Sequence, residues 1–164
     1  MTPGDRLTPK GRPDSSTLRV GDRLAERSYE PTNVSLFLYN AAIWNAHRIH
    51  YDERYTREVE KHPSVVIDGP LQGDWLTQAV KEWMVDGDSM LEFEYSNRRA
   101  CHLGDRLTVS GELAEIDAET QEITLGLWVK TEDGEVTTPG RAIVRLGPPE
   151  PSSAVPGSGE TDSE

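Results

Sequence analysis

Between Pro70 and Gly87 the chain carries an apolar stripe that fixes much of what it can fold into. Trp75, Ala79 and Trp83 recur at i, i+4 and i+8, and Leu76, Val80 and Met84 repeat the pattern one position on. This spacing predicts an amphipathic helix of about four turns. Pro70 suits its first position, where a missing N–H costs nothing, and the helix is expected to stop before Gly87. A stripe this wide, with two tryptophans in it, needs a sheet to cover it. The tryptophans are therefore read as core and not as part of a cofactor site.

Downstream of that helix the periodicity changes to two, the mark of strands. Leu91, Phe93 and Tyr95 alternate with Glu92 and Glu94. Leu107, Val109, Gly111 and Leu113 form one face of the next strand, and Ile123, Leu125, Leu127 and Val129 one face of another. Asp133-Gly134 predicts a hairpin turn into a last strand over 135–146. Upstream, residues 18–29 alternate loosely and read as a first strand or extended arm. Asn33 is a candidate N-cap for a helix over 34–44, apolar nearly all round and so expected to be buried. A short helical turn is expected over 55–60, stopped by His62-Pro63. One early strand, a long helix and an antiparallel meander predict an α+β domain in which a sheet wraps a central helix. Gly-Asp-Arg-Leu occurs at 4, 21 and 104 with unequal spacing, which reads as repeated turn-then-strand chemistry and not as duplication.

A chain of 164 residues fits one domain. The domain is expected over residues 17–146. Residues 1–16 and the acidic stretch 147–164 are rich in Pro, Gly, Ser and charge, and are expected to be disordered tails. A net charge of −12 argues against nucleic acid, which demands clustered Lys and Arg. The lone cysteine, Cys101, fits a reducing compartment and a core position. No apolar run reaches membrane-spanning length and no signal-like segment opens the chain, so a cytoplasmic protein without a membrane partner is expected.

The densest chemistry lies in Trp44-Asn45-Ala46-His47-Arg48-Ile49-His50-Tyr51-Asp52. About twenty residues later Val65-Val66-Ile67-Asp68-Gly69-Pro70-Leu71 runs from apolar residues through a Gly-Pro turn into the central helix. The first segment offers imidazoles for proton transfer, since their ordinary pKa lies near neutrality. The second offers backbone N–H groups at a helix start, suited to a developing oxyanion. His47 and His50 with Asp52 also raise a zinc site, but no Cys cluster or second His pair supports one, and no metal is expected.

This pairing resembles the MaoC-like (R)-specific enoyl-CoA hydratases and 3-hydroxyacyl-thioester dehydratases. Their signature is Asp-x-Asn-Pro-x-His, followed later by a His-Gly-x-Leu turn. On this chain its first four defined positions fall on Asn45, His47, Arg48 and His50. Asn-Ala-His-Arg-Ile-His-Tyr-Asp, with Gly-Pro-Leu at 69–71, looks closer to the mitochondrial-type dehydratases and mesaconyl-CoA hydratases. Asn45, His47 and Arg48 replace the signature's Asp, Asn and Pro, and Asp68 stands where a His is usual; the loss of the acid at Asn45 and the gain of one at Asp68 bear most on the chemistry.

The resemblance implies a single hot-dog fold and a hydro-lyase without a cofactor, adding water to a 2-enoyl-CoA or removing it from a 3-hydroxyacyl-CoA. It implies His50 as base and acid, Asn45 holding the water, and N–H groups near Gly69 receiving the thioester oxygen. His47, Arg48, Pro70, Leu71, Arg98 and Arg99 are then substrate-binding candidates, the arginines toward CoA. Arg48 and the Arg98-Arg99 pair have structural readings too, as a salt bridge and a solvated strand end. Asp68 is either a dyad partner or a helix cap. The ligand is an acyl thioester of CoA or of acyl carrier protein, with its acyl group open. The chain is expected to pair with itself or with a second hot-dog subunit. Two rival functions stand beside this one. One is a non-catalytic subunit of a heteromeric dehydratase. The other is a hot-dog thioesterase using Asp74 or Glu82.

Overall fold

In a computed structural model, which describes residues 7–8 and 11–148, the expected central helix forms as α3, Gly69–Trp83. Trp75, Leu76, Ala79, Val80 and Trp83 are all buried along it. Met84 is its C-cap in an extended conformation, so the second apolar row ends one residue short of expectation. Two other helices precede it, α1 (Asn33–Ala42) and α2 (Glu53–Glu58).

The strands are β1 (Leu7–Thr8), β2 (Arg23–Leu24), β3 (Arg27–Tyr29), β4 (Ser89–Tyr95), β5 (Leu107–Asp117), β6 (Glu122–Thr131) and β7 (Val136–Arg145). They form one sheet in the order β1-β2-β5-β6-β7-β4, with β3 also against β5. The long strands pair antiparallel throughout. Leu107, Val109 and Leu113, then Ile123, Leu125, Leu127 and Val129, then Ala142 and Val144, are buried with the apolar stripe of α3 in one core. The predicted period-two faces are therefore the ones that cover the helix. Cys101 is buried in the same core, where burial pushes its thiol up and keeps it protonated. The hairpin turns at Gly134 with φ +85°.

Several local expectations need correction. The first strand is two short strands. Arg23 pairs with Glu112 but Arg27 with Val109, a one-residue slip in register. Ser110 Oγ bridges the slip by donating to the Leu24 carbonyl at 2.9 Å. In β4 the alternation is broken by a register shift between Met90 and Glu92. Leu91 is thereby turned outward, 42% exposed, while Met90 and Phe93 pack on the core. A bulge reverses the face of residues beyond it, so a simple alternation misreads this strand.

α1 is capped by Thr32, not Asn33. Thr32 and Ser35 exchange side-chain bonds to each other's backbone N–H as a capping box. Nor is α1 buried, since α3 already occupies the sheet's inner face. Only Leu36 and Asn40, one turn apart, face inward, while Val34, Phe37, Leu38 and Ile43 remain exposed.

Of the repeated tetrapeptide, Gly21 and Gly104 both take positive φ, 91° and 101°, ahead of β2 and β5. Gly4 lies outside the described residues, as do residues 149–164 and most of 1–10. Residues 11–16, expected in a disordered tail, are fastened. Gly11 N–H donates to the Glu82 carbonyl at 2.7 Å, and Arg12 holds Asp88 through two bonds of 2.8 and 2.7 Å. Asp88 also accepts from Val85 N–H and Gly147 N–H, tying both ends of the domain to the turn after α3.

Burial opposes the Asp88 charge, but Arg12 and the two backbone donors outweigh it and hold the carboxyl below its ordinary range. A carboxyl depressed in the folded state stabilises at every pH above its unfolded value, near 3.9, and loses that contribution as pH falls through the folded value. Thermal melts from pH 6 to pH 3 should therefore show a steep loss below about pH 4. Arg12→Ala should lower stability at pH 7 by about 1–3 kcal/mol and flatten that acid limb. Identical melts for the two proteins at pH 7 would contradict this.

Candidate active site

α1 ends where Trp44 takes the left-handed conformation, φ 56°, and Asn45 N–H reaches back to the Asn40 carbonyl at 3.0 Å. This exit throws Trp44 into solvent, 94% exposed, and turns Asn45 inward. Asn45 Oδ1 then accepts from His47 N–H at 3.1 Å, which orients its amide. The motif segment is ordered as a 3-10 turn, Arg48–His50, running into α2, whose N-cap is Asp52. Thr56 Oγ1 donates to the Ile49 carbonyl at 3.1 Å and Val66 N–H to the same carbonyl at 2.9 Å. Those bonds lock the segment against residues 65–68.

Four side chains converge there. His50, 8% exposed, donates from Nδ1 to the Val66 carbonyl at 2.9 Å. Its Nε2 lies 3.6 Å from Asp68 Oδ1. Asn45 Nδ2 donates to that same oxygen at 3.2 Å, and Asn40 Nδ2 donates to Oδ2 at 2.9 Å. Asp68 has no exposed surface. Burial pushes its carboxyl up, against the opposing effects of His50 and the two amides.

Asp68 is the N-cap residue of α3 by position, yet its side chain makes no capping bond. Of the two readings weighed for it, contact with His50 is the one observed. The first turn of α3 is left without a side-chain cap, Pro70 contributes no N–H, and Gly69 is half-buried at its start. A Cβ at position 69 would overlap the Asn97 carboxamide, so a larger residue there requires that side chain to swing away. Beside this cluster a cavity of about 360 Å³ is lined by Phe37, Asn40, Ala41, Trp44, Asn45, Ala46 and Tyr51. It is mostly apolar, with the two asparagines as its polar wall.

The remaining candidates are placed as follows. His47 is exposed, its ring edge-on to His50 at 5.7 Å. Arg48 is spent on Asp52 at 2.6 Å and stacks over Tyr55 at 4.2 Å, so the salt-bridge reading describes it. Pro70 is exposed and Leu71 half-buried at the foot of α3. The Arg98 and Arg99 N–H groups bond the Thr137 carbonyl of β7, and the Arg99 guanidinium pairs with Glu135. Neither arginine is in contact with the His50 cluster. Asp74 accepts from the Tyr39 hydroxyl at 2.7 Å, and Glu82 pairs with Arg27. Burial and Asp74 push that phenol up, so it stays a donor.

Sequence reasoning missed Asn40, an amide in the apolar body of α1. Its position four residues after Leu36 was the available signal, since the two share the inward face.

The family model described as "Hydroxyacyl-thioester dehydratase type 2" matches residues 6–103, more than half of the chain and the whole of this cluster. The chain belongs to that family. Among curated relatives, the mesaconyl-C(4)-CoA hydratase of Chloroflexus aurantiacus is 44% identical over 45 residues, 27% of this chain and 16% of that protein. The mitochondrial hydroxyacyl-thioester dehydratase type 2 of Schizosaccharomyces pombe is 40% identical over 43 residues, 26% of this chain and 14% of that protein. The matches thus span less than a fifth of those relatives' length.

The fold is the hot-dog fold of the (R)-hydratases. The (R)-hydratase from A. caviae involved in PHA biosynthesis superposes with a TM-score of 0.71 at 19% identity, covering 79% of this chain and 98% of that one. The R-hydratase PhaJ1 from Pseudomonas aeruginosa gives 0.71 at 22%, covering 81% and 84%.

Proposed function

We propose that this chain is a hydro-lyase on acyl thioesters, hydrating a 2-enoyl-CoA or dehydrating a 3-hydroxyacyl-CoA. The observation that carries the reading is a histidine with its tautomer fixed by Val66, set against Asp68 at the uncapped start of α3, while the two amides bonded to Asp68, Asn40 and Asn45, line an apolar cavity. His50 is the base for water and the acid for C2. The α3 N-terminus stabilises the enolate-like thioester oxygen, where preorganised donors and the helix dipole favour negative charge. Asn45 is a positioning residue: its amide ties the motif segment to Asp68, a bond no carboxylate could donate.

The thioesterase reading loses support because Asp74 and Glu82 are both engaged elsewhere, with Tyr39 and Arg27. The non-catalytic-subunit reading was motivated by Asn45 and Asp68, but those two residues are bonded to each other and Asp68 faces His50. A second hot-dog chain as partner, identical or related, is supported by the position of β4 at the end of the strand order. A fold neighbour comes from a complex of two differently named chains, the ChsH1-ChsH2 complex from Mycobacterium tuberculosis.

The test is a panel of 2-enoyl-CoAs of differing chain length and polarity, read by loss of conjugated-enoyl absorbance and by release of free thiol. Absorbance loss without thiol release is the expected result. Thiol release would favour the thioesterase. Inactivity alone, with activity restored by a second hot-dog chain, would favour the non-catalytic subunit.

A further inference from the structure

We propose that His50 and Asp68 hold one shared proton, making Asp68 the positioning residue of the acid–base chemistry; this rests on the hydro-lyase reading above. The argument starts from which atoms carry hydrogens. The Val66 carbonyl can only accept, so His50 Nδ1 carries a proton, and a neutral ring then presents a bare lone pair at Nε2. That atom faces Asp68 Oδ1 at 3.6 Å.

The two amides around Asp68 have their orientations fixed by independent bonds. Asn40 Nδ2 also donates to the Leu36 carbonyl at 2.8 Å, and Asn45 Oδ1 accepts from His47 N–H. Both amides therefore present N–H to the carboxyl group. A protonless pair would set a lone pair against a carboxylate that has no exposed surface and no cation beside it, only two neutral amide donors, which is costly. One proton removes both problems. Imidazolium with carboxylate, or imidazole with carboxylic acid, is neutral as a unit. Burial pushing the Asp68 carboxyl up agrees with this. The other titratable groups close by are His47, edge-on to the His50 ring, and Tyr39, whose hydroxyl is spent on Asp74.

The shared proton gives the site an acid and a base at once. In hydration a water O–H bond breaks, its proton goes to the pair and its oxygen bonds C3. The C2=C3 electron pair shifts to form the enolate, leaving negative charge on the thioester oxygen at the start of α3. A proton then leaves the pair for C2, and the enolate electrons form the C2–H bond. The pair starts and ends with one proton. It holds two only while the thioester oxygen is anionic, so the buried site stays neutral throughout. His50 Nε2 exchanges protons with the substrate, and Asp68 acts through it.

The first test uses the unaltered protein. Across a pH titration, the ring ¹⁵N signals of His50 and the carboxyl ¹³C signal of Asp68 should move together with common midpoints, Nδ1 staying protonated. An Asp68 carboxyl that titrates alone, with His50 indifferent to it, overturns the proposal. The second test moves the charge. Asp68→Asn should lower kcat by about 10²-fold with little change in KM and remove one limb of the pH profile. The double variant Asn45→Asp/Asp68→Asn carries the carboxylate across a single hydrogen bond and should regain at least a tenth of the lost rate. Wild-type kcat and pH profile in Asp68→Asn would overturn the proposal. If that variant does not fold, the titration decides alone. If no thioester is turned over by the unaltered protein, the hydro-lyase reading falls while the coupled titration still tests the shared proton.

Discussion

His50→Ala is expected to lower kcat/KM for enoyl-thioester hydration by about 10²-fold or more while leaving the fold and thioester binding nearly intact. The expectation follows from where the ring sits. His50 is at the end of a 3-10 turn held in place by bonds through Ile49, so the backbone does not depend on the imidazole. What the ring supplies is one bond to Val66 and a lone pair toward Asp68. Truncation leaves Asp68 with its two amide donors but no exchange partner for substrate protons. His47→Ala should cost far less, since its ring is exposed. Steady-state kinetics on the best enoyl-CoA from the panel, with thioester binding measured separately by calorimetry, checks both. Wild-type turnover in His50→Ala would end the hydro-lyase mechanism.

How much of this was legible in the sequence depended on whether a residue's partner was local or distant. The stripe of α3 up to Trp83 and the alternating faces of β5 over 107–113 and of β6 over 123–129 follow single periods and emerged as read, because the register shifts of those strands lie beyond these stretches. The break in β4 did not, since a bulge is set by the register of β7 opposite it. The apolar composition of α1 was visible, but its exposure was not. Burial there depends on whether α3 has already filled the sheet's inner face.

The site divides the same way. The motif around His50 and the Gly-Pro helix start could be paired from sequence. The fate of each polar side chain could not. Asp68 reads as a cap on local grounds, yet its carboxyl makes no capping bond. Three residues from different segments bond or face it instead, at separations of 28, 23 and 18 positions along the chain. Arg48 had both a ligand and a salt-bridge reading, and its partner is local: Asp52, four residues on, takes it.

The core offers the other large effect. Leu76→Ala is expected to destabilise the protein by about 2–5 kcal/mol, a large part of the roughly 5–15 kcal/mol that a domain of this kind holds. Leu76 has no exposed surface and packs against β7, its Cδ1 3.1 Å from where a Cβ on Gly140 would be. Truncation removes buried apolar area and leaves a cavity between two elements that are each held by many other contacts, so collapse around it is limited. Gly140→Ala acts in the opposite sense by overfilling the same spot. The double variant should therefore be less unstable than the sum of the singles, a coupling that a double-mutant cycle reads directly. The control is Leu91→Ala, which alternation alone would place in the core. Turned outward by the bulge, Leu91 should cost no more than about 0.5 kcal/mol. Urea midpoints for the unaltered protein and the four variants distinguish these outcomes. A Leu91→Ala cost matching that of Leu76→Ala would mean that the β4 register is wrong and that the simple alternation holds.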